Sequence, residues 1–174
     1  MASTGNLMVG LETPSVGRIM VKPVGSQDWF EAIGLNGVSS VNDLAEYQGH
    51  LYAAVQTGTG GRIYRSDLGG LSWTVMEASS PPVTSFRRLY ADGMGQLLAG
   101  ADTGNGPSGT LVFRLEPGSA GWQPYRGYLD MSTSIYDLLS IPEGLFAATG
   151  EIYGNLYRVL PTDWTWIYMP LVKK

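Results

Sequence analysis

The sequence contains no cysteine and a single histidine. The absence of cysteine excludes disulfide bonds, thiolate nucleophiles and cysteine-ligated metals, and it leaves the redox compartment undetermined. One imidazole, that of His50, excludes a zinc or copper site built from several histidines of one chain, and it leaves at most one imidazole general base. We interpret His50 as a polar residue of the turn Gln48-Gly49-His50, and we expect no metal, no cofactor and no catalytic residue.

Charge and long apolar segments are also scarce. Charged residues make up 15% of the chain and the formal net charge is −4, so no basic stripe is present to neutralise a phosphate backbone. No apolar run approaches the roughly 18 residues that a membrane-spanning helix needs. The first residues, 1–5, lack the basic and apolar regions of a secretory signal. We therefore expect a soluble chain with no nucleic-acid partner and no membrane insertion, in an unknown compartment.

Turn-forming residues are abundant. The 24 glycines and 10 prolines are spread among short apolar runs and form no low-complexity block. Turn signals recur every 8 to 12 residues or so, and no segment has the 3.6-residue period of an amphipathic helix. A chain of 174 residues is long enough for one domain with a sizeable core. This composition is typical of an all-β domain.

An internal repeat runs through the whole chain. Four apolar runs begin with leucines that are 44, 46 and 48 residues apart, and they occupy residues 7–11, 51–55, 97–101 and 145–149. Each run is followed by a second segment that opens with glycine and closes with a basic residue, at 17–22, 61–65, 109–114 and 154–158. A tryptophan stands seven or eight residues beyond each of these segments: Trp29, Trp73, Trp122 and Trp166.

A further strand is predicted before three of the four leucine runs, at 41–44, 86–89 and 135–138, and it is nearly absent from the first unit. Each complete unit therefore contains four short strands in 40 to 50 residues, with small residues in the second strand, as in a wedge-shaped sheet. This pattern predicts an all-β fold, a β-propeller with about four blades of four antiparallel strands and an incomplete first blade. We expect one domain over 1–174, with blades at about 1–38, 39–82, 83–131 and 132–174.

The segment from Ser66 to Trp73 resembles the Asp-box (BNR) repeat of sialidase-like propellers, whose pattern is Ser-x-Asp-x-Gly-x-Thr-Trp. Leu68 occupies the aspartate position, and Asp67 lies one place earlier. The resemblance implies a structural role for Ser66 and Asp67 in a turn between two strands, where such side chains bond to the backbone. It also implies that Trp29, Trp73, Trp122 and Trp166 pack between blades.

A ring of polar residues is predicted on the loops that follow the second strands. The residue six places after each leading leucine is Thr13, Thr57, Thr103 or Glu151, and Tyr128 and Tyr153 complete this loop face. Hydroxyls and aromatic rings are groups that recognise sugars, although threonine in a glycine-rich loop is equally typical of a solvated hairpin.

The arginines and tyrosines occur at no spacing that matches the arginine triad and Tyr/Glu pair of sialidases. We therefore predict a non-enzymatic module that contacts a glycan or a protein partner. An incomplete blade leaves an open sheet edge, which favours a homo-oligomer or docking on a larger particle such as a phage virion, as a structural or receptor-binding component. The alternative is a degenerate sialidase-like glycoside hydrolase.

Overall fold

The computed structural model describes residues 2–13, 16–76, 83–92, 95–102, 110–116, 121–129, 134–142, 144–150 and 155–159. Every regular element in this part of the chain is a β-strand, and the strands form four antiparallel sheets. None of the described residues belongs to a helix that could span a membrane. The prediction of an all-β fold is confirmed.

Each sheet is a meander whose strands are neighbours in chain order. Sheet I contains β1 (Leu7–Glu12), β2 (Gly17–Lys22) and β3 (Phe30–Glu31). Sheet II contains β4 (Val38–Tyr47), β5 (His50–Thr57), β6 (Gly60–Asp67) and β7 (Thr74–Met76). Sheet III contains β8 (Ser85–Ala91), β9 (Leu97–Asp102), β10 (Thr110–Leu115) and β11 (Gln123–Leu129). Sheet IV contains β12 (Ser134–Ile141), β13 (Gly144–Gly150) and β14 (Asn155–Val159).

The first sheet lacks the strand with which sheets II, III and IV begin, so the predicted incomplete first blade is confirmed. Residues 2–6 form a turn instead, in which the Ala2 amide donates to the Asn6 carbonyl over 3.1 Å. The fourth strand of sheet IV, predicted to begin at Trp166, lies outside the described residues.

Consecutive sheets pack face to face around three apolar cores. The core between sheets I and II includes Ile19, Val21, Ala53, Val55 and Trp73. The core between sheets II and III includes Tyr52, Ala54, Phe86, Phe113 and Trp122. The core between sheets III and IV includes Leu98, Val112, Ile135, Leu138 and Ala147. The opening strands β4, β8 and β12 lie next to one another, so the sheets approach most closely at their inner edges, as propeller blades do.

Small residues in the second strand of each blade make this close approach feasible. A Cβ atom on Gly100 would lie 2.7 Å from Cγ2 of Ile135, and one on Gly10 would lie 2.7 Å from Cγ1 of Val41. The equivalent residue of sheet II, Ala54, is buried. A branched side chain of β4 and of β12 therefore occupies the space above a glycine of the preceding sheet.

Strand lengths differ from the predicted value of about five residues. Strand β4 has ten residues and β3 has two. The turn between β4 and β5 consists of Gln48 and Gly49, with φ angles of 48° and 75°, as in the tight hairpins that match the twist of their strands. Because only two residues turn, pairing continues to Tyr47 and His50, so His50 is the first residue of β5 rather than part of the turn.

Candidate functional site

Each sheet has two faces, because side chains alternate along a strand. We call the face directed at the next sheet in the chain the leading face, and the opposite one the trailing face. Strands β1, β5, β9 and β13 hold equivalent places in the four repeats. Their side chains on the leading face are Met8 and Gly10, Tyr52 and Ala54, Leu98 and Gly100, and Phe146 and Ala148. The trailing positions are Leu7, Val9 and Leu11, then Leu51, Ala53 and Val55, then Leu97, Ala99 and Ala101, then Leu145, Ala147 and Thr149.

The trailing face of sheet I is uncovered. Val9 is 41% exposed and Leu11 39%, whereas Ala53 and Val55, at the same repeat positions in sheet II, are fully buried. Lys22 pairs with Leu7 and Met20 pairs with Val9, so both lie on the same side of the sheet. We call this surface face I; it consists of Leu7, Val9, Leu11, Met20, Lys22 and Trp29. An ion pair between Arg18 and Glu31, 3.0 Å long, lies on the same side, because Arg18 pairs with Leu11 and Glu31 pairs with Met20.

Trp29 belongs to face I because it holds the repeat position of Trp73 and Trp122. Trp73 is 2% exposed and Trp122 0%, and each packs against the sheet before it, but Trp29 is 43% exposed. The Trp73 Nε1 donates to the Gly70 carbonyl over 2.7 Å. The Trp122 ring meets Tyr52 edge-on, with centroids 6.4 Å apart. Among the described residues, no sheet precedes Trp29.

The leading face of sheet IV is uncovered in the same way. Leu139 is 54% exposed, and strand register places it beside Phe146, with Asp137 and Leu156 on either side of Ala148. A shallow pocket of about 320 Å³ lies on this surface. We call it face IV; it consists of Asp137, Leu139, Ile141, Phe146, Ala148 and Leu156.

Polar residues gather on the opening strands, at the inner edge of the stack. Each opening strand has an irregular register at the same repeat position, where two residues with polar side chains precede a leucine. These pairs are Asn42-Asp43, Arg87-Arg88 and Tyr136-Asp137. This site is not among those predicted from the sequence, although the aligned repeats do contain a signal for it: two adjacent polar residues precede Leu44, Leu89 and Leu138.

Ion pairs connect these strands from sheet to sheet. Arg88 Nε lies 2.8 Å from Asp137 Oδ1, and its Nη1 lies 3.4 Å from Asp43 Oδ2. The Asp43 carboxylate also accepts the Leu89 amide over 2.8 Å. Beside them, Arg87 Nε donates to Asp102 Oδ2 over 2.6 Å. These side chains are already bonded to one another, so the arrangement joins blades II, III and IV.

The predicted loop face is only partly described. The Thr13 hydroxyl donates to the Val16 carbonyl over 2.8 Å, and that of Thr57 to the Gly60 carbonyl over 2.6 Å, so each bonds within its own hairpin. Tyr128 lies within strand β11 rather than in a loop. Thr103, Glu151 and Tyr153 lie outside the described residues, as does Trp166.

Ser66 and Asp67 bond within the turn between β6 and β7. The Ser66 hydroxyl donates to the Ser72 carbonyl over 2.6 Å, and the Asp67 carboxylate accepts the Gly69 amide over 3.0 Å. Both side chains therefore close this turn locally. No group of three or more acidic or histidine residues suited to a metal ion occurs in the part of the chain that the structure describes.

A cleft of about 180 Å³ lies beside the inner edge of sheet I, between β1 and β4. Glu46 lines it, and hydrogen bonds from Ser3 hold the pKa of this carboxyl below its usual value. The other lining residues are Ala2, Met8, Leu44, Ala45, Leu51, Tyr52 and Trp73. Most of these lining residues have apolar side chains, and Glu46 is the charged one among them.

No protein-family model and no curated protein matches this sequence. Several solved structures do align with the chain. A protein of unknown function from Dyadobacter fermentans aligns with a TM-score of 0.58 at 14% identity, over 94% of this chain and 60% of that one. A candidate gluconolactonase aligns with a TM-score of 0.59 at 16% identity, over 98% and 64%. A subtype N10 neuraminidase-like protein of A/little yellow-shouldered bat aligns with a TM-score of 0.56 at 13% identity, over 92% and 60%.

The chain therefore spans less than two thirds of the length of each of these structures. At such identities the likeness establishes the fold alone, and that fold is a β-propeller.

Proposed function

We propose that this chain is a non-enzymatic β-propeller module that assembles with protein partners through face I and face IV. The proposal is based on comparing the burial of side chains at equivalent positions of the four repeats. Side-chain positions that are buried or half-buried between blades at the internal seams are more exposed at both ends of the stack. Several large apolar side chains exposed together on one surface mark an interaction site.

The composition of the two faces favours a protein partner over a glycan. Face I contains three aliphatic side chains and an indole, and face IV contains Leu139, Ile141 and Phe146. Fully burying an aliphatic or phenyl side chain contributes about 1.5–3 kcal/mol, and tryptophan is over-represented among the residues that dominate protein interfaces. Glycan recognition by the loop face remains a prediction, and a glycan array tests it.

A dye-binding experiment tests whether the two faces are the binding surface. We expect anilinonaphthalene sulfonate to fluoresce with the wild-type chain at nanomolar concentration, and to lose most of that fluorescence with the double variant Val9→Glu/Leu139→Glu. Val24→Glu is the matched control, because Val24 is exposed but lies outside both faces. Unchanged fluorescence in the double variant would overturn the proposal.

The absence of catalysis is tested separately. We expect no turnover of a fluorogenic glycoside panel that includes sialosides. Hydrolysis that is lost on substituting Glu151 or Tyr153 would replace this proposal with the sialidase-like hydrolase. Attachment to a larger particle, such as a phage virion, is a further hypothesis that imaging of the native assembly tests.

A further inference from the structure

We infer that the partner at both faces is a second copy of this chain, joined head to tail, with face IV of one copy against face I of the next. This inference rests on the proposed function and names the partner for the same surfaces. Every internal seam places a leading face against a trailing face. Face IV is a leading face and face I is a trailing face, so their contact continues the interface that already joins the blades within the chain.

The aromatic residues support this pairing. At the seam between sheets II and III, Trp122 meets Tyr52 edge-on. Trp29 holds the position of Trp122 in its repeat, and Phe146 holds the position of Tyr52. A head-to-tail contact therefore places Trp29 of one copy against Phe146 of the other. Edge-to-face aromatic pairs contribute more than their buried area alone.

The contact is heterologous, because it joins two different surfaces that lie at opposite ends of the stack. Each copy therefore has one of each surface, and association continues until a ring closes. This property separates the inference from a two-fold dimer in which face I meets face I, and it allows a mixing experiment to distinguish the two.

Analytical ultracentrifugation of the full 174-residue chain at micromolar concentration tests the inference. We expect the wild type to exceed the monomer mass of 18.7 kDa. Val9→Glu and Leu139→Glu each place a charge in a desolvated contact, so each weakens association by about a hundredfold or more and gives monomers. Val24→Glu retains the wild-type mass.

Mixing the two variants is the decisive step. Val9→Glu retains face IV and Leu139→Glu retains face I, so their mixture forms one intact seam and sediments at twice the monomer mass. Circular dichroism checks that each variant is folded. If either variant unfolds, Trp29→Ala and Phe146→Ala replace the pair; each weakens association by about tenfold or more, and Trp29 emission shifts to the blue when the wild type assembles.

A monomeric wild type overturns the inference, as does an oligomer that both face variants leave intact. An oligomer that each variant dissociates, but whose mixture stays monomeric, overturns the head-to-tail arrangement. A monomeric wild type whose dye binding is lost in the double variant leaves the proposed function standing with another partner. If the double variant binds the dye as the wild type does, both the proposed function and the head-to-tail inference are wrong.

Discussion

At the scale of single residues, the tryptophan repeat shows that one sequence position can have very different surroundings. Trp73 and Trp122 are buried because a preceding sheet covers them, and Trp29 is exposed because no described sheet does. The chemical identity is the same, and the neighbouring blade determines the burial.

We predict that Trp73→Phe lowers the free energy of unfolding by about 2 kcal/mol, because it removes the bond to the Gly70 carbonyl and leaves space in a buried core. Trp29→Phe, at the equivalent exposed position, changes it by less than about 0.5 kcal/mol under conditions where the protein is monomeric. Urea denaturation followed by circular dichroism measures both values. Equal losses in the two variants would contradict the assigned burial.

Gly34 lies directly against the backbone of Trp73. Its φ is +90°, and a Cβ there would lie 2.1 Å from the Trp73 carbonyl oxygen. The backbone cannot move away easily, because the Trp73 amide donates to the Ile33 carbonyl over 3.0 Å. We expect Gly34→Ala to destabilise the fold by at least about 3 kcal/mol.

Gly37→Ala is the matched control for this substitution. Its φ is +72°, and a Cβ there would meet nothing within 4 Å. Only the backbone cost of about 1–2 kcal/mol is expected. Thermal unfolding of both variants separates the steric cost from the conformational one, and a larger effect at Gly37 would be inconsistent with the contact between Gly34 and Trp73.

Tyr47 and Tyr52 are predicted to make the fold sensitive to alkali. Burial raises the pKa of both phenols, whose rings lie 6.1 Å apart. Because the folded pKa is raised, this contribution to stability is complete below the unfolded pKa of about 10 and is lost as the pH rises through the folded value. The urea midpoint should therefore fall above about pH 10. Tyr52→Phe should reduce that fall, and an unchanged slope would contradict this assignment.

At the scale of elements, the opening strands determine how blades are joined. Each has the same register irregularity and the same pair of polar positions, so the bonds of Asp43, Arg88 and Asp137 recur from seam to seam. The ion pairs themselves contribute less than about 1 kcal/mol each, because Arg88 is well exposed.

The hydrogen bonds that the Asp43 carboxylate accepts from the backbone are expected to contribute more to stability. Its carboxylate accepts the amides of Leu44 and Leu89, and its side chain is largely buried. We predict that Asp43→Ala costs about 2 kcal/mol, because two amide donors lose their partner. Asp137→Ala, at the exposed equivalent position, should cost well under half of that. Chemical denaturation compares the two, and a larger loss at Asp137 would contradict the interpretation.

At the scale of the whole molecule, blades II and III have a neighbour on both faces, whereas only one face of blade I and of blade IV is covered among the described residues. Local stability follows the number of buried contacts. In the single-face variant Leu139→Glu, we predict that the amides of β1 exchange at least about tenfold faster than those of β5, which corresponds to roughly 1.4 kcal/mol.

Hydrogen exchange with mass spectrometry measures this difference. Assembly of the wild type should slow exchange in β1 and leave β5 unchanged, because only β1 lies on face I. Slower exchange in β5 alone, or no difference between assembled and dissociated protein, would contradict the position of the interface.

Much of the architecture could be predicted from the sequence, because a repeated strand pattern encodes local backbone choices. The sheets were identified from the spacing of the tryptophans and of the leucines that begin the apolar runs. The missing opening strand of the first unit was evident before Leu7. Strand lengths were predicted less well, since pairing beyond the apolar run, as at Tyr47 and His50, depends on the turn that joins two strands.

The candidate surfaces could not be predicted in the same way. Leu7 and Leu51 are the same residue type at the same repeat position, and only the packing of one sheet on another exposes the first and buries the second. Recognition by the loops after the second strands, predicted from the sequence, stays a prediction; the described threonine hydroxyls of those loops bond within their own hairpins.

The sequence by itself therefore determined the strand pattern and the four-sheet propeller, because alternation, glycine turns and small inner residues act over a few neighbouring positions. Only the tertiary structure decided which sheet faces remain uncovered, because burial depends on residues about 45 positions away in the adjacent blade. The exposure of Trp29 and Leu139 results from that long-range packing, and the proposed assembly depends on it.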